Sequence, residues 1–309
     1  MALNKVKRFA LRVLSHAEPE VKRAYRLQRA MADIKAPHLL RQMYHLQDQK
    51  IPCGEHLVPV RVHEPGKRRS DQVILFFHGG GWATENIDTY HRVCKSLARH
   101  LGRRVLSVDY RLAPEHPFPA GLDDCYAVAS YLYSHAGSFG LKPEDIILMG
   151  DSAGGNLAAV VSLMARDRGE FAVRRQILVY PAVSSDHSES SPYPSVHENA
   201  EDYILTSKHL EEYTDLYITD PSDLTDPYLA PILMDDLTHQ PETLIITAQY
   251  DPLRDEGEAY GSRLRECGNT VSVLRIEDAI HGFLSLPPRF SHVKKTYEAI
   301  ERFLSGEEI

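Results

Sequence analysis

Short apolar strands alternate with amphipathic helices along most of this 309-residue chain. That alternation predicts an α/β fold with a mostly parallel central sheet flanked by helices on both faces. A second observation gives the sheet a functional edge. His78-Gly79-Gly80-Gly81 follows the apolar run at 73–77, and Gly150-Asp151-Ser152-Ala153-Gly154 follows the run at 146–149. A third is an interruption: residues 185–235 are Ser/Pro-rich and carry Tyr193, Tyr203, Tyr213, Tyr217 and Tyr228. An insertion at the carboxyl edge of such a sheet sits where ligands bind, so a helical cap over the site is expected.

In chain order, residues 1–50 read as helical. Val21, Ala24, Leu27, Met31 and Ile34 recur at three- and four-residue steps as one apolar stripe that needs a surface to cover. Strands are expected at 57–62, 73–77, 105–108, 146–149, 176–179, 243–247 and 271–274. Helices are expected at 92–100, 122–134, 153–165, 256–266 and 297–304, with a short one around 205–217 inside the interruption. The helix at 153–165 is apolar nearly all round and should be buried. The predicted organisation is an N-terminal helical cap segment (1–50), a sheet-bearing unit (51–184 and 236–309) and a second cap insertion (185–235).

Composition narrows the function. At 43% hydrophobic the chain can bury a large core, and its net charge of -8 offers no general attraction to nucleic acid. Residues 1–50 hold eleven Lys/Arg against four Asp/Glu, which reads as a solvated helix face. The basic stretch Gly66-Lys67-Arg68-Arg69-Ser70 reads as a solvated turn. No apolar stretch nears the ~18 residues of a membrane span, and Arg12 breaks Phe9-Ala10-Leu11 short of a signal peptide. Cys53, Cys94, Cys125 and Cys267 are scattered, as thiols of a reducing compartment are, so a cytoplasmic location is expected. Gly79-x-Gly81-x-x-Thr84 lacks the third glycine of a dinucleotide site, there is no P-loop, and no histidine pair has zinc-protease spacing. Neither a metal nor an organic cofactor is expected.

Gly-x-Ser-x-Gly between a strand and a helix is a nucleophile elbow, a turn too tight for side chains beside the serine. The upstream Gly-rich loop is the partner that helps hold a developing oxyanion. A serine hydroxyl needs a base, and the base an orienting acid. After Ser152, Asp251 and His281 each lie beyond the carboxyl end of a predicted strand. Alternatives stand beside them: Ser152 as a plain helix cap, Asp255 as the acid, and His78 as a base rather than a loop organiser. Asp109, Tyr110, Arg111 and Glu115 read as a scaffold behind the site.

The chain resembles the hormone-sensitive-lipase-like branch of the α/β-hydrolases, the group of bacterial carboxylesterases, acetyl esterases and arylacetamide deacetylases. The resemblance runs from about residue 55 to 305. It rests on HGGGW at 78–82, DYRLAPEHPFPA at 109–120, GDSAGGN at 150–156, DPLRDEG at 251–257 and HGF at 281–283. It implies Ser152 as nucleophile, Asp251 as acid and His281 as base, with the N–H groups of Gly80, Gly81 and Ala153 as oxyanion hole. It also implies a small short-acyl ester as substrate, with a homodimer left open. Amide hydrolysis or deacetylation by the same triad is the alternative, and a non-catalytic receptor of this fold a remoter one. Glu85 and Glu277-Asp278 depart from the usual pattern, the latter pair placing acid just before the histidine.

Overall fold

A computed structural model describes residues 20–35, 48–201 and 203–309, with only the backbone of 31–35. The rest of the predicted 1–50 segment lies outside the described residues.

The chain opens with α1 (Val21–Lys35), β1 (Asp48–Cys53), β2 (His56–His63), β3 (Val73–Phe77), α2 (His91–Leu101) and β4 (Arg104–Val108). α3 (Ala120–Ser134), β5 (Ile146–Asp151), α4 (Ala153–Arg168) and β6 (Arg175–Val179) follow. The interruption carries α5 (Pro194–Glu198) and α6 (Ser207–Tyr217), and β7 (Glu242–Tyr250), α7 (Arg254–Glu266), β8 (Val271–Ile280) and α8 (Ser291–Ser305) complete the fold. Among the described residues the strands form one eight-stranded sheet in the order β1-β2-β4-β3-β5-β6-β7-β8. β1–β2 and β2–β4 pair antiparallel, and the other neighbours pair parallel.

β3 and β5 are central and buried along their whole length, which is why 73–77 and 146–149 read as unbroken apolar runs. One core cluster joins α3 and α4 to one face of the sheet, and a second joins α2 and α8 to the other. From Ala153 to Ala165 every residue of α4 is buried, as its uniform apolarity predicts.

Three expectations need correction. Residues 48–50 are the exposed start of β1, not helix. β7 and β8 continue past their apolar runs to Tyr250 and Ile280, so the two strands project beyond the sheet as a ribbon. On α1 the buried side chains are Val21, Ala24 and Tyr25, while Leu27 is 62% exposed. At about 100° per residue, two steps of three carry Leu27 some 120° around the helix from Val21. Tyr25 at the fourth position keeps to the buried face.

Candidate active site

The elbow forms because two close approaches forbid side chains. A Cβ on Gly150 would lie 2.0 Å from the Gly154 carbonyl oxygen, and one on Gly154 would lie 2.0 Å from that of Phe77. Between them Ser152 adopts φ 55°, ψ −123°, a conformation that L-residues avoid. Its N–H donates to the Val179 carbonyl (2.9 Å) and its own carbonyl accepts from Asn156 (3.1 Å), so strands and helix together hold the turn.

Ser152, His281 and Asp251 are brought into one line. Ser152 Oγ lies 2.9 Å from His281 Nε2, and His281 Nδ1 lies 2.7 Å from Asp251 Oδ2. Asp251 is fully buried, and its Oδ1 accepts from the Leu253 N–H at 3.0 Å. The imidazole is 12% exposed, which leaves it a solvent-facing edge. Asp255, the alternative acid, points elsewhere: it accepts from the Ser195 N–H (2.8 Å) and pairs with Arg254 (2.7 Å). Burial opposes its charge, but Arg254 holds its carboxyl below the ordinary range.

Gly80 and Gly81 take φ values of 108° and 56°, open to glycine. The turn after them is closed by bonds from Thr84 N (2.9 Å) and Thr84 Oγ1 (2.8 Å) to the Gly80 carbonyl. Among the described residues no loop bond uses the N–H of Gly80 or Gly81. Ala153 begins α4, where the first N–H groups have no partner within the helix. A Cβ on Gly81 would sit 2.3 Å from the Tyr213 ring, so α6 rests directly on this loop.

His78 is fully buried, with Nδ1 2.8 Å from the Gly79 carbonyl and its ring stacked 4.3 Å from Tyr110. Burial pushes its pKa down to about 4, which suits a loop organiser. The expected scaffold is present. Tyr110 donates to the His78 carbonyl (2.7 Å), Arg111 pairs with Asp124 (2.9 Å), and Glu115 pairs with Arg29 (2.6 Å). Asp109 accepts from the Ile87 N–H, and burial pushes its carboxyl up to about 6. Glu277 is exposed and lines a shallow cavity with Lys295 and Arg302, while the Asp278 N–H donates to Gln249 (2.8 Å).

Several residues at the site are given no role by the sequence motifs. Arg29 on α1 donates through Nε to the Ala83 carbonyl at 2.7 Å and through Nη2 to that of Ala113. Buried Glu256 accepts from Val183 N (2.7 Å), Ser184 N (3.0 Å) and His187 Nε2 (2.8 Å), bolting the start of the interruption to α7. Asp151 collects donors from three separate segments. Its only sequence signal is its place beside the serine.

Cys53, His56 and Asp124 form the one candidate metal cluster among the described residues, with ligand atoms within 4.8 Å of one another. Arg111 already donates to both Asp124 oxygens, through its backbone N (2.9 Å), Nε (3.0 and 3.1 Å) and Nη2 (2.9 Å). A guanidinium seated there repels a divalent cation, so the residues fit an ion-pair network better than a metal.

The fold and this geometry define an α/β-hydrolase, and the comparisons with known proteins agree. The model of the α/β-hydrolase fold family matches residues 74–285. An arylesterase of Saccharolobus solfataricus is 36% identical over 78% of this chain and 78% of its own. The carboxylesterase NlhH of Mycobacterium tuberculosis is 37% identical over 74% of this chain and 72% of its own. The solved structure of a hyperthermophilic esterase from the archaeon Pyrobaculum calidifontis superposes with a TM-score of 0.87 at 35% identity, covering 99% of both chains. The chain belongs to the hormone-sensitive-lipase-like class of α/β-hydrolases.

Proposed function

We propose that this chain is a serine carboxylesterase that hydrolyses small, short-acyl carboxylic esters through an acyl-serine intermediate. The observation that carries the reading is the hydrogen-bonded line Ser152–His281–Asp251, mounted on a strained elbow beside a glycine loop. Relatives named arylesterase and carboxylesterase support it.

Ser152 Oγ attacks the ester carbonyl carbon while His281 Nε2 takes its proton. The carbonyl oxygen becomes an oxyanion held by the N–H groups of Gly80, Gly81 and Ala153, each such donor worth roughly 2.7–4 kcal/mol. Asp251 fixes the tautomer and stabilises the imidazolium. His281 then gives the proton to the departing alkoxide, and the alcohol leaves. Water enters, gives a proton to the same nitrogen and attacks the acyl-serine. As the intermediate collapses, His281 returns that proton to Ser152 Oγ, which frees the acid and restores the serine.

In this reading α1 and the 185–235 insertion form the cap. The support is contact: Val21 N donates to Glu212 (2.6 Å), Arg29 reaches the loop after Gly81, and Tyr213 lies on Gly81. Four unpaired cysteines fit a reducing cytoplasm, and no described helix is long and apolar enough to cross a membrane. A homodimer is compatible with this assignment.

Matched substrates test the function. With p-nitrophenyl acetate and p-nitroacetanilide, kcat/KM should favour the ester by several orders of magnitude. Comparable turnover of the two would move the assignment to amide hydrolysis, and turnover of neither would favour a receptor.

A further inference from the structure

We propose that Asp151 is a positioning residue for this hydrolysis, tying the oxyanion loop to the nucleophile's strand and, through Tyr180, to the histidine loop. The inference rests on the esterase reading above. The carboxylate is 1% exposed and accepts three hydrogen bonds from three segments that are far apart in sequence. Oδ1 accepts from the Gly79 N–H at 3.0 Å, at the root of the oxyanion loop. Oδ2 accepts from the hydroxyl of Tyr90 at 2.9 Å, at the entry to α2. It also accepts from the hydroxyl of Tyr180 at 3.2 Å, just beyond β6.

Tyr180 carries the connection onward. Its hydroxyl accepts from the Leu284 N–H at 3.3 Å, three residues past His281, and its ring lies 4.7 Å from the imidazole. One carboxylate therefore spans the loop that holds the oxyanion donors and the loop that holds the base, starting from the residue next to the nucleophile. Gly79 is shaped for this: a Cβ there would lie 2.8 Å from the Tyr90 hydroxyl and 3.1 Å from Asp151 Oδ2. A side chain at 79 would push the carboxylate off its donors.

Ester attack needs serine, base and oxyanion donors in register at once, and a misplacement of about 1 Å costs up to about 100-fold in rate. Burial pushes the Asp151 carboxyl up to about 6 against the pull of its donors, so its ionised form works against folding.

Asp151→Asn separates the roles. Its oxygen still accepts from Gly79, and the tyrosine hydroxyls can turn to accept from its amide, so the fold should survive. On p-nitrophenyl acetate at pH 8, Asp151→Asn should lower kcat by about tenfold to 100-fold with KM nearly unchanged. Its Tm should not fall, and its reaction with a p-nitrophenyl alkylphosphonate should slow in step with kcat. Tyr180→Phe, which removes the strut to Leu284 and leaves the carboxylate in place, should also lower kcat at constant KM. If the wild type reacts with the phosphonate but both variants keep wild-type kcat and reaction rate, Asp151 positions nothing. A fall in Tm with kcat untouched would make its role structural. A wild type inert to ester and phosphonate alike would overturn the esterase reading instead.

Discussion

Ser152 is held at a positive φ by neighbours that leave it no alternative, and its partners are just as constrained. Asp251 is buried with Oδ2 on the imidazole and Oδ1 on its own loop, so it has one orientation to offer. Asp255 is spent on Ser195 and Arg254. Asp251→Asn should therefore lower kcat by about 10⁴-fold, because an amide favours the wrong imidazole tautomer. Asp255→Asn should lower it far less, through loosening of the 195 contact. Initial rates on one ester decide the matter, and the reverse ranking would transfer the acid role to Asp255. The motifs made the serine, acid and histidine legible because each is local: a few residues whose spacing demands a turn. Asp151, Tyr180 and Glu256 were not legible, because their meaning lies in partners tens of residues away.

At the scale of elements, apolar runs located the central strands well. Both faces of β3 and of the 146–149 part of β5 are covered by helices, so the side chains there are apolar, and Asp151 at the end of β5 is the buried exception. Edges were harder. The exposed Asp48-Gln49-Lys50 start of β1 pairs with β2 through its backbone and through the Asp48–Arg61 ion pair (2.7 Å), and polar side chains are what an edge strand is expected to carry. β8 past Leu274 has the same character, with Arg275 and Glu277 exposed while the ladder to β7 continues. On α1 the stripe was legible but its face was not, since steps of three drift around a helix. That helix also carries Arg29, whose guanidinium holds the Ala83 carbonyl in the turn that closes the glycine loop, the oxyanion loop of the proposed mechanism. Arg29→Ala should loosen that turn and lower kcat by about tenfold, with the reaction of Ser152 with a phosphonate slowed in step. Steady-state kinetics over a series of acyl lengths give the answer. Unchanged kcat and acyl preference would show that α1 covers the site without shaping it.

Across the whole molecule, the sheet's parallel strands point their carboxyl ends at one edge, and the elbow, the acid loop and the histidine loop all leave from it. That placement follows from topology, and it is why residues 129 positions apart in sequence meet at 2.9 Å. α1 and α6 touch the glycine loop at the same edge, through Arg29 and Tyr213. Trp82, just after Gly80 and Gly81, stacks face to face on Tyr217 at 4.5 Å, and Phe118 meets that tyrosine edge-on. Loop and insertion therefore share one buried aromatic seam. Everything in this arrangement is aimed at one oxygen atom. The direct test is to treat the protein with a fluorophosphonate, digest it and locate the adduct by mass spectrometry, with Ser152→Ala alongside. A single adduct on Ser152, absent from a folded variant whose ester turnover has fallen by about 10⁴–10⁶-fold, is the predicted result. An adduct on another residue, or a Ser152→Ala protein that keeps a tenth of wild-type turnover, would contradict it.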